Sequence, residues 1–146
     1  MKILALDPGG TTGYVLARMD DIDYSVMEPG DVHPEYPLFL LEHGEFNRWE
    51  LIEPIISSNA VEIVIAETYI ALPWKVRLSY ESTLPIRILG ILEYLQERYG
   101  FQFVQQKSAD LKLINIPADL RKEIPGTHER DALKHLILYW ERKNKC

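Results

Sequence analysis

The chain has 146 residues, 47% apolar and 26% charged, with a formal net charge of −6 and one cysteine, Cys146. That is the size and composition of a single globular domain over residues 1–146, with enough chain to bury a proper core. No apolar run approaches a membrane span, no secretory signal is expected ahead of the short first apolar stretch, and an internal disulfide is excluded, so a reducing cytoplasm is the expected setting.

The first apolar run, Ile3-Leu4-Ala5-Leu6, ends at Asp7. A glycine-rich turn follows, Pro8-Gly9-Gly10-Thr11-Thr12-Gly13, and then a second apolar run, Tyr14-Val15-Leu16-Ala17. This reads as strand, carboxylate, tight turn, strand. Strands are expected at about 2–7, 13–19 and 22–27, joined as an antiparallel meander with Asp20-Asp21 in its second turn. The prolines and glycines between Glu28 and Gly44 read as irregular chain, with a short helix near Leu38. A helix over about 45–58 puts Phe46, Trp49, Ile52 and Ile56 on one face, and Pro54 kinks or shortens it. The run Val61-Glu62-Ile63-Val64-Ile65-Ala66 ends at Glu67 and reads as a buried strand over about 61–67. After a long connection from Ile70 to Leu84, a helix over about 84–99 carries Leu84, Ile88, Ile91, Leu92 and Leu95, and Gly100 stops it. A strand over about 101–105, a helix over about 107–114, a loop over about 115–126 and a last helix over about 127–143 complete the chain. Strands grouped first, then alternating with helices, predict an α/β domain: a mixed five-stranded sheet, its first three strands antiparallel, with helices on both faces.

Three places carry chemistry. Asp7 and Glu67 each end a buried strand, where a carboxylate is costly unless something positive neutralises it. The third is His128-Glu129-Arg130-Asp131, opening the last helix, with His128 and Asp131 three apart on one face. Leu133, Leu136, Ile137 and Trp140 mark the core side of that helix. Three carboxylates and a histidine on two strands and a helix suit hard divalent cations held by oxygen ligands. The bland readings are concrete too. Thr127 as a helix N-cap would account for His128 without any ligand role. His135, one turn beyond Asp131, reads as a surface histidine or as a support to the site, and His33 and His43 receive no role.

Asp7 in Leu-Asp-Pro-Gly-Gly-Thr-Thr-Gly, Glu67 at the end of the later strand, and His128-x-x-Asp131-Ala-Leu together resemble the RuvC-like Holliday junction resolvases of the RNase H-like nuclease superfamily. The resemblance runs from Lys2 to about Trp140, in residue order, spacing and overall length, and in texture the chain looks closer to the short phage-type members than to the longer bacterial ones. It implies an RNase H-like fold and a homodimer that cuts four-way DNA junctions symmetrically, leaving 5′-phosphate and 3′-hydroxyl ends. It also implies a bacterial cytoplasm, or the host cytoplasm for a phage-encoded protein. The physical reading is hydrolysis with two divalent cations roughly 3.5–4 Å apart. Asp7 would bridge both, Glu67 and Asp131 would each hold one, and His128 would ligate or position water. Mg2+ is the expected ion, and a histidine in the site lets Mn2+ substitute.

The charge is unevenly spread. Residues 1–97 hold six basic and sixteen acidic side chains, residues 98–146 ten and six. The basic third is the expected side for phosphates. The segment 69–87 interleaves aromatics with bases, so Tyr69, Trp74, Lys75, Arg77 and Arg87 are candidate DNA contacts, with packing of Trp74 and Tyr80 in the loop as the plain alternative. Lys107, Lys112, Arg121, Lys122 and Arg130 are candidate phosphate contacts. The resemblance places the dimer interface on the helix over about 84–99. Three rivals stay open: an RNase H-like nuclease for another substrate, an actin- or sugar-kinase-like phosphate-binding fragment suggested by the glycine-rich turn, and a junction-binding protein without catalysis.

Overall fold

The structure, a computed structural model, describes residues 1–19, 38–68 and 80–144, without the side chains of residues 80–82. Five strands form one sheet: β1 (Lys2–Asp7), β2 (Thr12–Met19), β3 (Leu38–Phe46), β4 (Ile63–Glu67) and β5 (Gln102–Gln106). Their order is β3-β2-β1-β4-β5. β1 pairs antiparallel with β2 and β2 antiparallel with β3, whereas β4 runs parallel to β1 and β5 parallel to β4. The expected mixed sheet is therefore present. Among the described residues four α-helices accompany it: α1 (Ile52–Asn59), α2 (Tyr80–Tyr99), α3 (Ala118–Glu123) and α4 (Thr127–Asn144).

Strand side chains alternate between faces, and the two faces build two cores. Ile3, Ala5, Ile63 and Ile65 pack under Leu133, Leu136 and Ile137 of α4. Leu4, Leu6, Val64 and Ala66 pack on Ile52 and Ile56 of α1 and on Ile88, Leu92 and Leu95 of α2. Each fully buried aliphatic side chain contributes about 1.5–3 kcal/mol. The alternation also fixes where the acids go. Asp7 continues the Ile3–Ala5 face and Glu67 the Ile63–Ile65 face, so both carboxyls come out under α4. The β1–β4 register, Ile3 opposite Ile63 through Leu6 opposite Ala66, brings these two strand ends level.

Several boundaries differ from those read in the sequence. The stretch around Leu38, expected as irregular chain with a short helix, is β3; the expected strand at 22–27 lies outside the described residues. Gly44, which suggested a loop, sits opposite Tyr14 in the ladder and leaves room for its ring: a Cβ there would meet Tyr14 Cε1 at 3.2 Å. The helix expected from 45 begins later. Phe46 still belongs to β3, Trp49–Leu51 make one 3-10 turn, and α1 starts at Ile52. Pro54 therefore falls in the first turn, where its missing N–H costs little. The helix expected at 107–114 is a 3-10 stretch, Ser108–Leu113, and the loop expected at 115–126 contains α3. α2 begins at Tyr80, ahead of its expected start, with Pro85 inside it. Gly100 does end it, at φ 73, with its N–H bonded to Gln96 O at 2.8 Å.

One close approach sets the whole α4 face. Gly13, opposite Asp7 in the β1–β2 ladder, has the first turn of α4 directly above it, and a Cβ there would run into the His128 carbonyl and the Glu129 amide. Both partners are backbone, so neither can rotate aside. Gly13→Ala is expected to lose about 1–3 kcal/mol of stability, read as a lower urea midpoint at unchanged slope; an unchanged midpoint would show that α4 does not press on β2 there.

Candidate active site

β1, β4 and β5 are parallel neighbours, and their C-terminal ends carry Asp7, Glu67 and Gln106. Glu67 and Gln106 are paired in register. Above them α4 presents His128, Asp131 and His135, spaced i, i+3, i+7 along one stripe. Seven residues of helix rise about 10 Å, close to two strand spacings of about 4.8 Å. One helix stripe thus reaches all three strand ends.

The stripe meets the strand ends in pairs. His128 Nδ1 lies 3.2 Å from Asp7 Oδ2. His135 Nε2 lies 3.3 Å from Glu67 Oε2, and its Nδ1 lies 2.9 Å from Gln106 Oε1. Asp131 Oδ1, between the two histidines, accepts from Lys134 Nζ at 3.4 Å. The Asp7 side chain is 14% exposed and that of His128 47%, so the site opens to solvent on the His128 side.

The charges of the site act on one another. Burial pushes the Asp7 carboxyl from its ordinary 3.8 up to about 6; the His128 hydrogen bond opposes this, and the negative charges of Glu67 and Asp131 add to it. A half-buried carboxyl repelled by two others is what a bound cation relieves, and the donors are hard oxygens with one imidazole. By its chemistry the set fits a divalent metal. Among the described residues no three His, Cys, Asp or Glu side chains are gathered as a ready-made metal cluster; the acids are turned to His128, His135 and Lys134 instead.

The first turn of α4 is held by carboxylates. Glu129 is buried, and its Oε1 accepts the Gly126 N–H at 2.7 Å, which makes Gly126, and not Thr127, the N-cap. Glu129 Oε2 lies 2.9 Å from His43 Nδ1 on β3. Glu45, also on β3, accepts the backbone N–H groups of His128 at 2.9 Å and of Glu129 at 3.4 Å. Acids at a helix N-terminus are stabilising, and here they fix His128 against Asp7. The sequence reading gave His43 no role and did not single out Glu45 or Gln106. It also favoured a surface position for His135, which is fully buried.

The candidate DNA contacts separate. Tyr69, Trp74, Lys75 and Arg77 lie outside the described residues. Arg87 is on α2, across the sheet from α4. Lys107, just before the 3-10 stretch, and Lys112, in its last turn, are both exposed. Arg121 and Lys122 line a groove of about 500 Å3 between α3 and α4, and a smaller one of about 190 Å3, shared with Arg121, reaches Asp131 and Lys134. Arg130 lines both grooves, yet its Nε donates to Ile124 O at 2.7 Å and its Nη2 to Arg121 O at 3.0 Å, so it first of all ties α3 to α4.

Asp7 carries a stability cost that depends on pH. Its folded pKa lies above its unfolded one, so its contribution is present at low pH and is lost as pH rises from 3.8 to about 6. Without added metal, Asp7→Asn is expected to melt higher than the wild type at pH 7.5, by an amount on the order of a few degrees. At pH 4 the advantage vanishes. A variant that melts lower at pH 7.5 would contradict this.

No protein-family model matches the sequence, and no curated protein matches it. Solved structures do match. RuvC of Thermus thermophilus superposes with a TM-score of 0.68 at 11% identity, over 98% of this chain and 96% of that one. T. thermophilus RuvC in complex with Holliday junction substrate gives 0.67 at 12% identity, over 99% and 96%. The Fowlpox virus resolvase, solved with its substrate Holliday junction DNA, gives 0.61 at 12% identity, over 99% and 100%. The chain therefore has the RuvC-like form of the RNase H-like fold.

Proposed function

We propose that this chain is a structure-selective endonuclease that resolves four-way and other branched DNA by metal-dependent phosphodiester hydrolysis, leaving 5′-phosphate and 3′-hydroxyl ends. The observation that supports the reading is that Asp7 and Glu67 lie under the stripe of α4 that carries His128 and Asp131, with the Asp7 carboxyl pushed up to about 6 by burial first and by the charges of Glu67 and Asp131 in addition. The fold that holds them is shared with two proteins solved with junction DNA.

Asp7, Glu67, Asp131 and His128 would hold the cations, two Mg2+ with Mn2+ able to substitute. When bound, such ions polarise the scissile phosphate and lower the pKa of an attacking water. The chain's own residues do the rest. Asp7, on the central β1, is the acid that feels the charge of both others, which suits it to the shared position. Nδ1 of His128 is committed to Asp7, so Nε2 is the atom left to bind a cation or to take a proton from water. Arg121, Lys122 and Lys134 give the groove leading to Asp131 the charge that a phosphodiester strand requires.

Two symmetric cuts call for two sites related by a twofold axis, and α2 offers the surface for a homodimer. Tyr94 and Ile86 are exposed there, beside a groove of about 520 Å3 lined by Trp49, Ile88 and Ile91. Apolar patches of that kind mark association surfaces. No described helix is long and apolar enough to cross a membrane.

The test is cleavage of an immobile four-way junction beside duplex, fork and RNA–DNA hybrid controls, with Mg2+, Mn2+ or Ca2+. The expected result is paired symmetric nicks in Mg2+ or Mn2+, with Asp7→Asn slower by about 10³-fold or more. Preferential cutting of forks or hybrids would replace the substrate. Absence of metal-dependent cleavage on every DNA would overturn the nuclease reading.

A further inference from the structure

The contact between α4 and the ends of β4 and β5 goes beyond packing. His135 has no exposed surface, and Gln106 is 2% exposed. An imidazole at such a site on a core helix could be replaced by leucine, were filling space its only task. Instead both of its ring nitrogens are committed, one to each of two paired strand ends, at 3.3 Å to Glu67 Oε2 and 2.9 Å to Gln106 Oε1. Among the described residues no buried side-chain N or O lacks a partner. A network satisfied in this way specifies one arrangement, because breaking any one bond leaves a buried polar atom alone.

The chemistry of the partners fixes the direction of the bonds. An ionised carboxylate only accepts, so the proton lies on Nε2 and His135 donates to Glu67. On a ring that carries its one proton on Nε2, Nδ1 can only accept, so the Gln106 amide is turned with its NH2 group toward the ring and donates to Nδ1, the position 2.9 Å away being held by the amide nitrogen. Gln106 thereby anchors the ring and keeps Nε2–H aimed at Glu67. The bond takes up one oxygen, Oε2, and fixes the plane of the carboxylate, whose side chain is 27% exposed at the mouth of the site.

We propose that His135 is a positioning residue: held by Gln106, it donates from Nε2 to Glu67 and sets the orientation in which that carboxylate receives a divalent cation. The assignment rests on Glu67 being a cation ligand, as the proposed function has it. Outer-shell partners of this kind typically account for about 10–100-fold in metal affinity or activity.

The experiment pairs two substitutions with one measurement on the unaltered protein. His135→Gln carries an amide out to about where Nε2 stands; His135→Asn carries one only to about where Nδ1 stands. Mn2+ affinity is measured calorimetrically without DNA, junction affinity in Ca2+, and kcat and KM on the junction. His135→Asn is expected to weaken Mn2+ binding about 10–100-fold and to lower kcat at subsaturating metal, with KM and junction affinity unchanged. His135→Gln is expected to recover most of the loss. In the wild type, nitrogen chemical shifts of the histidine rings are expected to show His135 protonated on Nε2.

An unprotonated Nε2 in the wild type would overturn the proposal, whether or not the variants fold. Wild-type Mn2+ affinity in His135→Asn would overturn it too, as would equal losses in both variants, which mean packing alone. A wild type that binds Mn2+ in a His135-dependent way yet cuts no DNA would leave this proposal standing and remove the nuclease reading.

Discussion

Everything in the site depends on how closely α4 can lie on the sheet. The contact of its first turn with β2 is backbone against backbone over Gly13, with no side chain between. From that fixed point the helix crosses the ends of β1, β4 and β5, and two histidines of a single stripe meet them, His128 at Asp7 and His135 at both Glu67 and Gln106. A shift of one residue along the helix would rotate the stripe by about 100° and carry every one of these groups off its partner. The apolar side of α4, through Leu133, Leu136 and Ile137, supplies most of the energy that holds it there. Glu129 and Glu45 fix its rotation at the N-terminal end and His135 fixes it farther along.

This arrangement works against itself electrostatically. The fold gathers acids at the edge of a core and leaves Asp7 repelled by two of them. It offsets part of the cost with histidines, His128 at the open side and His135 at the closed side. The two differ in kind. His128 is half exposed and bonds Asp7 through Nδ1, which suits a role in the chemistry, whereas His135 is sealed and spends both nitrogens on neighbours. Tension of this kind is the usual exchange between stability and function.

What the sequence disclosed follows from what each residue does locally. Asp7 and Glu67 were legible because each breaks an apolar strand run at its end, and His128 and Asp131 because they open an amphipathic helix at a helical spacing. The mixed sheet was legible from the order of strands and helices. His135, Gln106, Glu45 and His43 were not, because their partners lie 29 to 86 residues away in sequence and no local pattern marks them. The one available signal was the i, i+3, i+7 spacing of His128, Asp131 and His135. β3 was missed because it is an edge strand with exposed Phe39 and Leu41, an irregular register against β2 near Leu16, and a glycine whose purpose is to seat the Tyr14 ring.

The central claim is that the ends of β1 and β4 and the stripe of α4 together make a divalent-cation site. Anomalous scattering from crystals grown with Mn2+ tests it most directly. The account predicts manganese peaks bounded by Asp7, Glu67 and Asp131, with His128 at their edge and His135 still bonded to Glu67. Manganese bound elsewhere, with Asp7 and Glu67 left on their histidines, would contradict it.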